Sequence, residues 1–227
     1  MKWIFFDVGS TLLDEGDFNS YFFGKIYNSI SESGARIVWE DFNNELRSII
    51  EQRRYGDRAY RGIVKELVTH FSNDRRLLQE MLEDYRRNTV REYLDRIKPY
   101  PDTLAVVEEL KNRYKLGVIA NQPKYTRQKM SSFGLAEQFE MIVLSDEVRL
   151  RKPDTRIFLH ALSLSGCDST QAVMVGDRLD ADIGPAKSLG MTTIRIRRGI
   201  MIYQLPFNSL EIADYEVNTL GDIASLL

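Results

Sequence analysis

From about residue 99 onward the chain alternates short apolar runs with amphipathic stretches, and that alternation constrains the fold most. Leu116–Ala120, Met141–Leu144, Ala172–Val175 and Thr192–Ile196 are each four or five residues long and rich in aliphatic or β-branched side chains. Such runs read as buried strands. Helical spacing separates them, around 102–114, 124–133, after Pro153 and around 180–189. Asp214–Val217 and a short final helix close the pattern. Strands alternating with helices predict a parallel sheet covered on both faces. Trp3-Ile4-Phe5-Phe6 has the same strand character, although it lies almost a hundred residues upstream.

The intervening stretch has a different texture. FNSYFFGKIYNSI, WEDFNNELRSII, RAYRGIVKELVTHF and RRLLQEMLEDYRRNTVREYL all carry apolar residues at helical spacing, broken at Gly34, Gly56 and Asn73-Asp74. No strand is expected there. The reading is an α/β core domain made of residues 1–15 and 99–227, with an all-helical domain at 16–98 inserted into it. Arginine pairs recur in the helical block, but acidic residues match them, so a mixed, solvated surface is the expectation. Arg53-Arg54-Tyr55-Gly56-Asp57 reads as an interhelical loop and as a candidate to face the core.

Composition narrows the function classes. The chain has 227 residues and a formal charge of −2, which argues against a globally basic nucleic-acid binder. Its single cysteine, Cys167, rules out an internal disulfide and a cysteine-rich metal site. No apolar stretch approaches the roughly 20 residues that a membrane helix needs, and Asp7 interrupts the N-terminal apolar run too early for a signal peptide. A cytoplasmic protein with no nucleic-acid or membrane partner, a monomer or weak homo-oligomer, is expected.

Open α/β sheets bind ligands beyond the carboxyl ends of their strands. Asp7, Asn121 and Asp177 each follow a core strand. One site explains three polar strand ends more simply than three coincidences.

Four segments then stand in order: FFDVGST at 5–11, VIAN at 118–121, RKPD at 151–154 and VGDRLDAD at 175–182. This set resembles the haloacid dehalogenase-like (HAD) hydrolase superfamily, and the resemblance spans essentially the whole chain. It implies a Rossmann-like three-layer core with a parallel sheet, and an α-helical cap inserted after the first motif. It implies that Asp7 is a nucleophile that forms an aspartyl-phosphate on a small phosphorylated metabolite. It assigns Mg²⁺ to Asp7, the Gly9 carbonyl and Asp177, with Asp182 acting through a metal-bound water. Oxygen ligands and retained waters suit that ion. It makes Lys152 the cation that neutralises the phosphoryl oxygens and Asp7, the electrostatic compensation on which phosphoryl transfer depends.

Two positions depart from the family pattern. The usual second aspartate of the first motif, an acid and base, is matched by Gly9. The usual serine or threonine of the second motif is matched by Ala120, leaving Asn121, Ser10 and Thr11 as candidate phosphoryl-oxygen ligands. A positioned acid or base contributes about 10²–10⁴-fold, so its loss should weigh most on poor leaving groups. His70, Tyr55 and Tyr60 are chemically able to replace it. The resemblance leaves two alternatives: 2-haloacid dehalogenation, whose enzymes also lack the second aspartate but need no metal, and a weakly active or inactive phosphate-binding protein.

Overall fold

In the computed structural model, which describes residues 2–56 and 58–227, the chain divides into two compact units. The first holds the chain up to Glu15, Ile97–Ile202 and Pro206–Leu227. Its strands are β1 (Trp3–Phe6), β2 (Leu13–Asp14), β3 (Lys98–Pro99), β4 (Lys115–Ala120), β5 (Met141–Leu144), β6 (Ala172–Gly176), β7 (Thr192–Ile196) and β8 (Tyr215–Val217). Six of them form one sheet in the order β5-β4-β1-β6-β7-β8, and every pairing is parallel. β1 is central, with Phe5 opposite Gly117 on one side and Met174 on the other. Gly117 is required there: a β-carbon on it would lie 2.7 Å from the Phe5 ring.

Side chains alternate across a strand, and β1 uses both faces. Trp3 and Phe5 pack with Ile157, Phe158 and Ala161 of the helix Arg156–Ser165 and with Ala186 of the helix Gly184–Ser188. On the other face Phe6 meets Phe139 edge to ring at 6.1 Å. Helices thus cover a Rossmann-like parallel sheet.

Three local features differ from the sequence reading. A two-stranded antiparallel ribbon pairs Leu13 with Pro99 and Asp14 with Lys98. Two residues per strand, one of them a proline without an N–H, leave no periodic signal. The helix expected around 180–189 is two pieces, a π-helical turn at Leu179–Ile183 followed by Gly184–Ser188. The last strand begins at Tyr215 because the Asp214 carboxylate turns back to accept from the Thr193 backbone N–H (2.9 Å) and hydroxyl (2.8 Å).

The second unit comprises Gly16–Arg96 and Tyr203–Leu205. Its helices are α1 (Gly16–Glu32), α2 (Trp39–Glu51), α3 (Ala59–Phe71) and α4 (Arg75–Arg96). Phe18, Phe22, Ile26 and Ile30 recur every four residues, so α1 buries one continuous stripe. Phe18 and Phe22 both meet the Tyr60 ring edge-on, each at 5.4 Å. α4 is more polar, and a partly buried charge cluster ties it to α1: Lys25 donates to Asp84 (2.6 Å) and Glu92 (2.9 Å). Of the foreseen breaks, Gly34 and Asn73 follow the C-caps of α1 and α3 at positive φ, the left-handed conformation that ends a helix, while Arg53 takes that place after α2 and Gly56, also at positive φ, lies farther along the loop. No helix among the described residues is long and apolar enough to cross a membrane.

Candidate active site

β1 ends where its hydrogen bonding passes to a turn. The Asp7 N–H still reaches Val175 O in β6 (2.9 Å), but the N–H groups of Leu12 and Leu13 both turn back to Val8 O at 2.9 Å. Ser10 sits at φ 53°, and its N–H reaches Leu13 O at 2.8 Å. The backbone therefore folds into a tight loop, and the Asp7 side chain stands at the strand end, 8% exposed. A β-carbon on Gly199 would lie 2.2 Å from Ser10 Oγ, so the loop after β7 closes directly onto this turn.

Lys152 is fully enclosed beside it. Its ammonium donates to Asp7 Oδ1 (2.6 Å), to Ile119 O (2.8 Å) and to Asp182 Oδ1. Three donors thus meet three acceptors. Burial alone would lower the lysine pKa; the carboxylates of Asp182 and Asp7 more than reverse it, and the group stays charged. Asn121 fixes this lysine from behind. Its amide Nδ2 donates to Lys152 O (2.8 Å), and its Oδ1 accepts from the Lys152 N–H (2.9 Å). The structure thus sets Asn121 on the backbone of Lys152, where it positions the cation.

Asp177 and Asp182 complete the acidic side. One carboxylate oxygen each from Asp7, Asp177 and Asp182 lies within 4.8 Å of the others. Burial, then the charges of Asp182, Asp7 and Glu15, push the Asp177 pKa well above the ordinary range. Burial also raises Asp182, to about 6, against the opposing pull of Lys152. Both Asp182 oxygens have partners: Oδ1 accepts from Lys152, and Oδ2 accepts from the Arg178 N–H at 3.0 Å. Gly176 makes room for this carboxylate, since a β-carbon there would lie 2.4 Å from Asp182 Cγ. Asp180 pairs instead with Arg178 (2.7 Å).

The remaining predicted residues fall on the other flank of Asp7. Ser10 Oγ donates to Glu15 Oε2 at 2.9 Å. Thr11 Oγ1 is buried and has no hydrogen-bond partner among the described residues. Glu15, which sequence reasoning missed, is 8% exposed, and its Oε1 would lie 2.2 Å from a β-carbon on Gly9. The Tyr100 phenol is held protonated by burial and by the nearby charges of Asp14, Glu15 and Asp177, while Arg198 stacks on its ring at 4.0 Å. Arg198 also pairs with Asp102 (3.1 Å). The only sequence signal for Glu15 is an acidic pair, Asp14-Glu15, following a motif that lacks its second carboxylate.

The acid candidates from the helical block have partners inside their own unit. Tyr60 donates to Asn19 Oδ1 (2.7 Å), Gln204 Nε2 donates to the Tyr55 hydroxyl, and His70 Nδ1 lies 3.4 Å from Glu45. Arg53 donates to Leu205 O (2.8 Å), and Arg54 pairs with Glu45 (2.8 Å) and Glu66 (3.1 Å). Asp57 lies outside the described residues.

Comparison with known proteins identifies the family. The family model for haloacid dehalogenase-like hydrolases matches residues 4–196. The glyceraldehyde 3-phosphate phosphatase of Methanocaldococcus jannaschii is 29% identical over 231 residues, covering 100% of this chain and 97% of that one. The phosphoglycolate phosphatase of Aquifex aeolicus is 25% identical, with 100% and 97% covered. A HAD phosphatase from Thermococcus onnurineus, a solved structure, is 31% identical with a TM-score of 0.63, covering 100% of this chain and 97% of that one. This chain belongs to the haloacid dehalogenase-like hydrolase family.

Proposed function

We propose that the protein is a Mg²⁺-dependent phosphohydrolase that acts on a small phosphorylated metabolite through an aspartyl-phosphate on Asp7. The observation that carries the reading is the buried contact of Asp7 with Lys152 inside a cluster of three carboxylates. A carboxylate attacking a phosphate ester meets like charge, so cationic compensation must be built in. Lys152 supplies one positive charge. Three aspartates against one ammonium still leave an excess of two negative charges when all are ionised.

That excess of negative charge, which adds to burial in raising the Asp177 pKa, fits a divalent cation. Its all-oxygen donor set suits Mg²⁺. Asp177, the second oxygen of Asp7 and the Gly9 carbonyl would hold the ion. Asp182, with both oxygens already engaged, would act from outside through water. The ion would supply charge neutralisation at the phosphoryl oxygens.

The chain's own residues do the rest. Asp7 attacks phosphorus, and Lys152 orients the attacking carboxylate through Oδ1. Asn121 fixes Lys152, and the buried site limits competing water. Thr11 Oγ1, buried without a partner among the described residues, and the Ser10 loop would meet phosphoryl oxygens. The helical unit would act as a cap that selects substrate. The phosphatase relatives support phosphate over halide chemistry and make triose phosphates the first substrates to test.

The test is hydrolysis of para-nitrophenyl phosphate with and without Mg²⁺. The wild type should turn over only with the metal, and Asp7→Asn should lose at least ~10⁴-fold, as removal of a nucleophile does. Undiminished turnover by Asp7→Asn, or release of halide from a 2-haloacid without metal, contradicts the proposal.

A further inference from the structure

The reaction just proposed has a chemical gap. Departure of an alkoxide from phosphorus needs a proton, and hydrolysis of the aspartyl-phosphate needs that proton taken back from water. Asp7 is occupied as nucleophile, and Lys152 is held by three acceptors. Gly9, two residues after Asp7, has no side chain. The space that one would occupy is nevertheless filled. A β-carbon on Gly9 would lie 2.2 Å from Glu15 Oε1 and 2.9 Å from its carboxyl carbon. A carboxyl group therefore rests on the Gly9 backbone, delivered from six residues downstream. The turn that brings it there is the loop with Ser10 at positive φ, and Ser10 Oγ fixes the other oxygen, Oε2, at 2.9 Å. Gly9 Cα is bare on the side where Glu15 lies.

We propose that Glu15 is the general acid and base of the site, in place of the side chain that position 9 lacks. The assignment rests on the phosphohydrolase reading. In the first half-reaction the bond from Asp7 oxygen to phosphorus forms while the ester P–O bond breaks. The Glu15 proton passes to the departing alkoxide oxygen. In the second, water gives a proton to the Glu15 carboxylate and its oxygen bonds to phosphorus. The Asp7–phosphorus bond breaks, and the Asp7 carboxylate is restored. Ser10 is a positioning residue in this scheme, holding Oε2 so that Oε1 faces the reacting group.

The experiment compares two esters in the full-length Mg²⁺-loaded protein. Glycerol phosphate has a leaving group that needs a proton; para-nitrophenyl phosphate does not. Glu15→Gln keeps the shape and removes the transferable proton. It should lower kcat/KM for glycerol phosphate by ~10²-fold or more and for para-nitrophenyl phosphate by less than ~10-fold. With the aryl ester kcat should fall more than kcat/KM, with a burst of nitrophenol, because aspartyl-phosphate hydrolysis has lost its base. Gly9→Asp offers an independent check, since its β-carbon must displace Glu15. The double variant Gly9→Asp/Glu15→Ala should recover alkyl-phosphate turnover above Glu15→Ala alone.

Equal losses on both esters, no loss on either, or a loss cured by raising Mg²⁺ would overturn the Glu15 assignment while leaving the phosphatase reading standing. Failure of the double variant to improve on Glu15→Ala would also overturn it. Absence of wild-type turnover on either ester would overturn the phosphatase reading, and the Glu15 role with it.

Discussion

On one flank of Asp7 the Lys152 ammonium is locked by Asp7, Asp182 and Ile119 O, with Asn121 clamping its backbone. On the other flank Gly9 offers only backbone, and Glu15 reaches in from the far side of the turn. The first flank is over-determined: remove one group and a buried charge is stranded. The second depends on the Glu15 side chain, whose Oε2 accepts from Ser10 Oγ. A rigid electrostatic wall and an adaptable proton-transfer wall suit the two tasks, since charge compensation needs fixed dipoles and the acid must meet different leaving groups.

The sharpest way to break this contrast is Lys152→Met. It leaves Asp7 and Asp182 buried without their cation, and removing one partner of a buried pair costs about 3–5 kcal/mol. Chemical denaturation of the metal-free protein at neutral pH should show that loss. Glu15→Gln, which removes no buried cation, should unfold close to wild type. Equal destabilisation by the two variants would erase the distinction.

Gly176→Ala should have a smaller effect. Its new methyl would stand 2.4 Å from Asp182 Cγ and push the carboxylate off Lys152. Overpacking of this kind costs about 1–3 kcal/mol. Thermal unfolding measures the cost, and Mg²⁺-dependent turnover should fall as well. Unchanged stability and turnover would mean that the Lys152 flank is softer than its contacts imply.

The mildest test is pH. Asp182 has a folded pKa of about 6, above an unfolded value of about 3.9. A carboxyl raised on folding stabilises the folded state fully below its unfolded pKa, and that stability is lost as pH rises to the folded one. Asp177 is shifted the same way. The metal-free protein should therefore lose stability between about pH 4 and 6, relative to the Lys152→Met/Asp182→Asn variant. Mg²⁺ should restore most of it at neutral pH. A metal-free Tm that rises through this window relative to that variant would contradict the assigned direction.

What was legible in the sequence follows the same divide. Asp7 and Asp177 directly follow apolar runs, and Lys152 and Asp182 stand at short fixed distances from recognisable segments. Strand ends were enough to single out Asp7 and Asp177, and the resemblance of RKPD and VGDRLDAD to the family's motifs singled out Lys152 and Asp182. Glu15 escaped both, because it lies six residues beyond Gly9, across a turn with a left-handed Ser10 that no side-chain pattern announces. Asn121 reads as a candidate substrate ligand because it ends a strand; its bonds to the backbone of Lys152, 31 residues later, carry no sequence signal. The six-stranded parallel sheet was readable from alternating runs. The Leu13–Pro99 ribbon was not, since two-residue strands carry no period.

In the proposed reaction Asp7 carries the phosphoryl group, and acid-quenched turnover would trap it there. Glu15→Gln, mixed with para-nitrophenyl phosphate and Mg²⁺ and quenched in the steady state, should yield a peptide containing Asp7 that is heavier by one phosphoryl group. The wild type should show less of it. A protein that turns over with no phosphoryl adduct in either form, or with the adduct on another residue, would contradict the account.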